Sequence, residues 1–252
     1  MPAAIDRDTL LEALDRELDP GRFEDYCPNG LQVEGRREIR RIVSGVTASH
    51  ALILAAIEQE ADLILVHHGY FWRGEPQPVV GMKRQRLQTL LQHDINLVAY
   101  HLPLDAHPEL GNNAQLGLRL GLLTDGPLRP DGVGLVGRLP EARSAEGFAE
   151  EIGVALGRPP TWVQGGTHPV RRVAWCTGGA QSMLPAAATH GVDAFISGEI
   201  SEQTTHEARE LGVHYFAAGH HATERYGPRA LGAWCAGRFG IGHAFIDIPN
   251  PA

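Results

Sequence analysis

Two pairs of adjacent histidines, His67-His68 and His220-His221, occur in this chain just where apolar runs stop, in LILVHHGYFW and VHYFAAGHHATER. Neutral imidazole is a nitrogen ligand for divalent metals, and neighbours at the end of a strand point in different directions. His67 and His68 can therefore each serve a different ion, with Gly69 letting the backbone turn close to them. His220 and Glu224 lie four residues apart, so a helix beginning near His221 places both on one face, and the two oxygens of Glu224 can bridge two ions. A third segment, LVAYHLPLDAHPELGNN, adds Asp105 as a carboxylate ligand and His101 as a general-base candidate behind it, with Pro103 fixing the loop between them. His107, before Pro108, reads as more exposed.

His67, His68, Asp105, His220 and Glu224 make a mixed nitrogen and oxygen set that suits Zn, Mn, Fe or Ni. Two divalent ions held by such a set typically sit about 3.5–4 Å apart and activate a bridging water as nucleophile. A lone histidine at a strand end is more often a hydrogen-bonded structural residue, and His93, His190 and His243 are read that way. Histidine pairs and a carboxylate loop, all at strand ends, favour a site. Other loops add candidates. Glu199 in FISGEISEQ is a candidate acid or base, and the Thr177-Gly178-Gly179 turn either offers backbone N–H groups to an anion or is only a tight turn. Tyr70, Phe71, Trp72 and Arg73 either stack on a planar base and hold a phosphate, or pack beneath a loop or in a subunit contact.

The elements that position these residues are short aliphatic runs alternating with helical stretches. The runs are RIVSGV (41–46), ADLILV (61–66), INLVAY (95–100), RVAWC (172–176), DAFIS (193–197) and VHYFAA (213–218). This rhythm predicts an α/β fold with largely parallel, buried sheets. A weak internal repeat pairs Arg41 with Arg172, Ala55-Ala56 with Ala186-Ala187, and Asp62 with Asp193, each at the same place along strand, helix and next strand. Two similar α/β lobes facing a metal-containing cleft follow as the expectation. Turn-rich stretches set the expected boundaries: an N-terminal lobe over 1–125 carrying His67, His68 and Asp105, a linker with a small α+β element over 126–170, and a C-terminal lobe over 171–252 carrying His220 and Glu224.

A chain of 252 residues with 43% hydrophobic content can bury a substantial core, and its formal charge of -8 disfavours nonspecific binding to nucleic acid or anionic membrane. The charged N-terminal stretch with leucines at helical spacing reads as a surface helix rather than a signal peptide, and no apolar run reaches the roughly 20 residues of a membrane span. Three widely separated cysteines without a CxxC pair fit a reducing compartment, hence the cytoplasm.

The segments YCPNGLQVEG, VHHGYFWRGE, HLPLDAHPELGNNAQ, RVAWCTGGAQS, VDAFISGEISEQ and GHHATER resemble those of the Nif-three-like family of dinuclear metal-binding proteins. Its YbgI-like bacterial members are labelled GTP cyclohydrolase I type 2 homologues. The resemblance runs from about residue 22 to the C-terminus and is weakest across 122–168. It implies two α/β lobes, a dinuclear centre, a ring-shaped homohexamer, and a metal-binding pattern that falls on His67, His68, Asp105, His220 and Glu224, with Glu224 as the bridge. The function expected from it is a metal-dependent hydrolase acting on a small molecule such as a nucleotide. The alternatives are a metal-stabilised scaffold or regulatory protein that binds nucleic acid or a protein partner, and a phosphoester or amide hydrolase.

Overall fold

The computed structural model describes residues 3–252, which form two compact units. One holds the chain up to Leu104 together with Gly227–Pro249, and the other holds Asp105–Tyr226 with Asn250–Ala252. Among the described residues no helix is long and apolar enough to cross a membrane.

The first unit is built on a five-stranded sheet in the order Gly242–Phe245, Arg41–Thr47, Leu63–His68, Asn96–Ala99, Gly30–Val33. The first four strands are parallel and the last is antiparallel. Val43, Ile64, Val66, Leu97 and Ala99 pack with Leu52, Ile53, Ala56 and Leu90 from helices. Leu63, Leu65 and Val98, which alternate with them, are buried as well, as continuous apolar runs in a sheet covered on both faces require. Ser49 starts the helix His50–Glu58 by accepting the Leu52 N–H on its side chain.

The second unit has a six-stranded sheet in the order Leu123–Pro127, Leu135–Arg143, Val170–Trp175, Ala194–Ser197, His214–Ala217, Thr161–Val163. Its three strands from Val170–Trp175 to His214–Ala217 are parallel, and the flanking ones antiparallel. Val173, Trp175, Ile196 and Phe216 meet Phe148, Ile152 and Leu156 of the helix Ala145–Leu156 in its core.

The sequence repeat has a physical counterpart. In the first unit Ile42 pairs with Leu63 across parallel strands, and in the second Val173 pairs with Ala194 in the corresponding register. Each register is pinned by a carboxylate. Asp62 accepts the backbone N–H groups of Arg40 and Arg41 at 2.7 and 2.9 Å, and Asp193 accepts those of Arg171 and Arg172 at 2.9 and 2.8 Å. A one-residue slip would break these bonds and turn every side chain of the strand to the other face.

The boundaries differ from those expected at 125 and 170. Gly242–Phe245 hydrogen-bonds alongside Arg41–Thr47, so the chain returns to complete the first sheet. Residues 126–170 are no linker, because Leu135–Arg143 and Thr161–Val163 are strands of the second sheet and the helix between them fills its core. Asp105 consequently belongs to the second unit.

Replacing Asp62 by alanine leaves two backbone donors and the Arg36 guanidinium without their buried acceptor, and should cost about 2–3 kcal/mol in denaturant unfolding. Asp193→Ala should cost less, about 1 kcal/mol, because water reaches that carboxylate. Equal, negligible losses in both variants would show that these clamps do not set the register.

Candidate metal centre

In the first unit His67 and His68 end their strand, as the sequence suggests, and His101 follows the neighbouring one. The ring centroids of His67 and His68 are 4.5 Å apart, and His101 lies 5.0 and 5.8 Å from them. One ligand nitrogen from each lies within 4.8 Å of the others. Strand register explains the grouping: Thr47 pairs with His68, and Tyr100 N–H bonds the Val66 carbonyl, which carries the chain on to His101.

The Nδ1 atoms are held from behind. His67 Nδ1 donates to the Tyr100 carbonyl at 3.0 Å, His68 Nδ1 meets Thr47 Oγ1 at 3.2 Å, and His101 Nδ1 meets Asp25 Oδ1 at 2.7 Å. A carbonyl can only accept, so the His67 proton sits on Nδ1 and its lone pair on Nε2. That is the tautomer a metal ligand needs, fixed by an outer partner. Asp25 and Asn29 are functional residues that the sequence reading passed over. Asp25 also accepts from the Asn29 amide and Leu102 N–H, and Asn29 Oδ1 accepts the His101 N–H at 2.7 Å. Burial works against the Asp25 charge, but these hydrogen bonds and the His101 ring hold its carboxyl down at about 2.

In the second unit His220 and Glu224 share the five-residue helix His220–Glu224, with Nε2 and Oε2 3.1 Å apart. Glu199 reaches His220 Nδ1 at 2.7 Å. His220 thus stands between two carboxylates. Burial would lower its pKa, but Glu224 and then Glu199 outweigh that and raise it to about 9. Asp105 is buried at the end of a short helical turn, Leu102–Ala106, rather than in an open loop, and receives the Asn112 amide at 2.9 Å and the Thr177 hydroxyl at 3.3 Å. Asn113, the next residue, ties this turn to the following strand end, donating to the Asp105 carbonyl and accepting the Thr177 N–H. Burial and the charges of Asp105 and Glu224 push the adjacent Cys176 thiol well up, so it stays protonated.

In the turn Thr177-Gly178-Gly179 two backbone N–H groups are already engaged. Thr177 N–H goes to Asn113 and Gly178 N–H to Thr223 Oγ1, so both are spent within the protein. Its glycine has a different purpose. Gly178 has φ +68, and a Cβ there would overlap Glu224 Oε1 and lie 3.1 Å from His220 Nε2. His107 caps its own turn, accepting from Glu109 and Leu110 N–H. Of the remaining histidines, His93 bonds the Thr89 carbonyl, His243 bonds Ser44, and His206 pairs with Glu202 on its own helix.

The residues therefore fit divalent ions in both units: imidazoles with Nδ1 tied back in the first, and a buried carboxylate with a carboxylate-flanked imidazole in the second. Sulfur stands near the imidazoles too, since Cys27 Sγ lies within 4.8 Å of ligand atoms of Asp25 and His101, with its thiol pushed up to about 12 by burial.

The proton on His220 stabilises the metal-free fold fully below the ordinary imidazole value near 6.5, and that contribution is lost as pH rises through about 9. Imidazole NMR of metal-free protein should show a midpoint near 9, moved downward in Glu199→Gln. A midpoint at the ordinary value would contradict the geometry.

The profile of the Duf34/NIF3 (NGG1p interacting factor 3) family matches residues 5–251. A Pseudomonas aeruginosa protein named GTP cyclohydrolase 1 type 2 homolog is 59% identical over 252 residues, spanning 99% of this chain and 100% of the relative. A solved structure described as protein ybgI, of unknown function, superposes with TM-score 0.96 at 51% identity, covering 98% of this chain and 100% of the other. A Thermus thermophilus structure gives TM-score 0.90 at 40% identity with the same coverage.

Proposed function

The chain belongs to the Duf34/NIF3 family, and from that premise we propose that it is a dinuclear divalent-metal-dependent hydrolase. His67, His68, Asp105, His220 and Glu224 would hold the ions. The observation that carries this reading is the set of Nδ1 hydrogen bonds behind the imidazoles, because an arrangement that fixes tautomers and flanks one ring with two carboxylates serves cation binding. What a pair of divalent ions supplies when bound is Lewis acidity and a water acidified enough to be a nucleophile near neutral pH.

The chain's own residues do the rest. Glu199 orients His220 through Nδ1, Asp25 orients His101, and His101 stands beside His67 and His68 where it can move a proton. Relatives named GTP cyclohydrolase 1 type 2 homolog point to a purine nucleotide as substrate. In that reaction water oxygen bonds to the ring carbon between two nitrogens and one C–N bond breaks, with one hydrogen of the water ending on the released nitrogen and the other on the nitrogen that keeps the formyl group, leaving a formamide. A ring-shaped homohexamer, which the family resemblance implies, in the cytoplasm, which the cysteine usage suggests, completes the reading.

The family's description as an interacting factor favours a second reading, a scaffold in which the metals are structural. One experiment separates them. Purified protein should hold two divalent ions per chain and open the GTP ring. His68→Ala and Glu224→Ala should lose at least one ion and roughly 10²-fold or more of the rate, since such sites lose 10–100-fold even when only an outer partner is removed. Gly178→Ala should lose metal through displacement of Glu224. Two retained ions in both ligand variants would refute the site, and full metal content without turnover of GTP, phosphoesters or amides would favour the scaffold.

A further inference from the structure

Beside the three imidazoles of the first unit lies an aromatic pair that the metal chemistry does not use. Trp72 packs its ring 5.0 Å from His101 at 81° and 5.9 Å from His68, and Tyr26 places its ring 6.2 Å from His101 at 60°. Tyr26 is 55% exposed, a large apolar surface left open next to a cluster of titratable groups.

The two rings come from segments stitched together. Arg73 N–H donates to the Tyr26 carbonyl at 2.7 Å, and its guanidinium donates to the Asp25 carbonyl at 3.1 Å. Gln32 grips Tyr70 at both N–H and carbonyl. The Trp72 N–H donates to Glu75, and the indole Nε1 donates to the Gly69 carbonyl at 3.1 Å. Between these anchors Phe71 is held at φ +65, a left-handed conformation that a bulky residue adopts only when its surroundings impose it. The loop is thus fixed in one shape, and that shape sets Trp72 against His68 and His101. With its N–H already spent on Gly69, the indole has only its π surface to offer a ligand. Recognition by stacking tolerates any planar heterocycle and asks for no particular hydrogen-bond pattern.

We propose that Tyr26 and Trp72 form a stacking site for the planar nitrogen heterocycle of the substrate, a purine-type ring, beside His67, His68 and His101. That the ring belongs to a substrate rests on the hydrolase reading. Its binding does not, because neither aromatic residue is a metal ligand.

The test uses the full chain stripped of metal, with guanosine monophosphate as probe and ribose 5-phosphate as the control lacking a ring. Tryptophan emission under red-edge excitation should be quenched saturably by the nucleotide and not by the sugar phosphate. Trp72→Phe should remove that quenching while keeping a ring in place. Calorimetry should show affinity roughly tenfold weaker in Trp72→Ala and in Tyr26→Ala, the usual order for loss of one stacking partner. Thermal unfolding of each variant checks that it is folded. Quenching that survives in Trp72→Phe, unchanged affinity in both alanine variants, or equal binding of the sugar phosphate overturns the proposal. So does a change confined to oligomeric state, which would make the pair a subunit contact. Quenching without hydrolysis in the metal-loaded protein would leave the stacking site standing and remove the hydrolase, and hydrolysis of a ringless ester without quenching would do the reverse.

Discussion

Each candidate imidazole is tied through Nδ1 to an oxygen of the surrounding fold, and the rest of the site follows from that constraint. The Tyr100 carbonyl holds His67, Thr47 holds His68, Asp25 holds His101 and Glu199 holds His220. A histidine so held loses its freedom to flip and, where the partner is a pure acceptor, its choice of tautomer. These oxygens are in place only because the strands keep their register. Thr47 stands opposite His68 because Arg41–Thr47 and Leu63–His68 are locked by Asp62, and Glu199 follows a strand whose start is locked by Asp193. A carboxylate at one end of the sheet thus helps decide the protonation of a ring at the other.

The two units use one architectural idea with different donors. The first sheet has four parallel strands and the second three, and in both the carboxyl ends of these strands carry polar residues, the usual place for ligands in open α/β sheets. The first presents imidazoles. The second presents carboxylates, with Asp105 and Glu224 buried and both felt by the Cys176 thiol. Buried carboxylates without a cation are costly, and in the metal-free chain His220 meets part of that need by keeping its proton.

Much of this was legible in the sequence because it rests on local periodicity. The six buried strand segments, the strand-end position of His67-His68 and the four-residue spacing of His220 and Glu224 are all short-range patterns. Asp62 and Asp193 emerged as a repeated pair, although their work on neighbouring backbone N–H groups did not. What escaped depends on contacts distant in sequence. Asp25 and Asn29 act on His101 from more than seventy residues away, and nothing in DYCPNG signals an acceptor for a ring. The boundaries escaped for a similar reason, since the return of Gly242–Phe245 to the first sheet is a pairing across about two hundred residues. The close approach of Glu224 to Gly178, which leaves no room for a Cβ, is likewise a contact distant in sequence.

The central proposal is that a mixed set of imidazoles and carboxylates holds a pair of divalent ions. X-ray absorption at the metal edge of the loaded, full-length protein tests it most directly. The account predicts mixed nitrogen and oxygen ligation with a metal–metal vector at about 3.5–4 Å. A spectrum of isolated ions with no metal–metal vector, or a first shell of imidazole nitrogen alone, would contradict it.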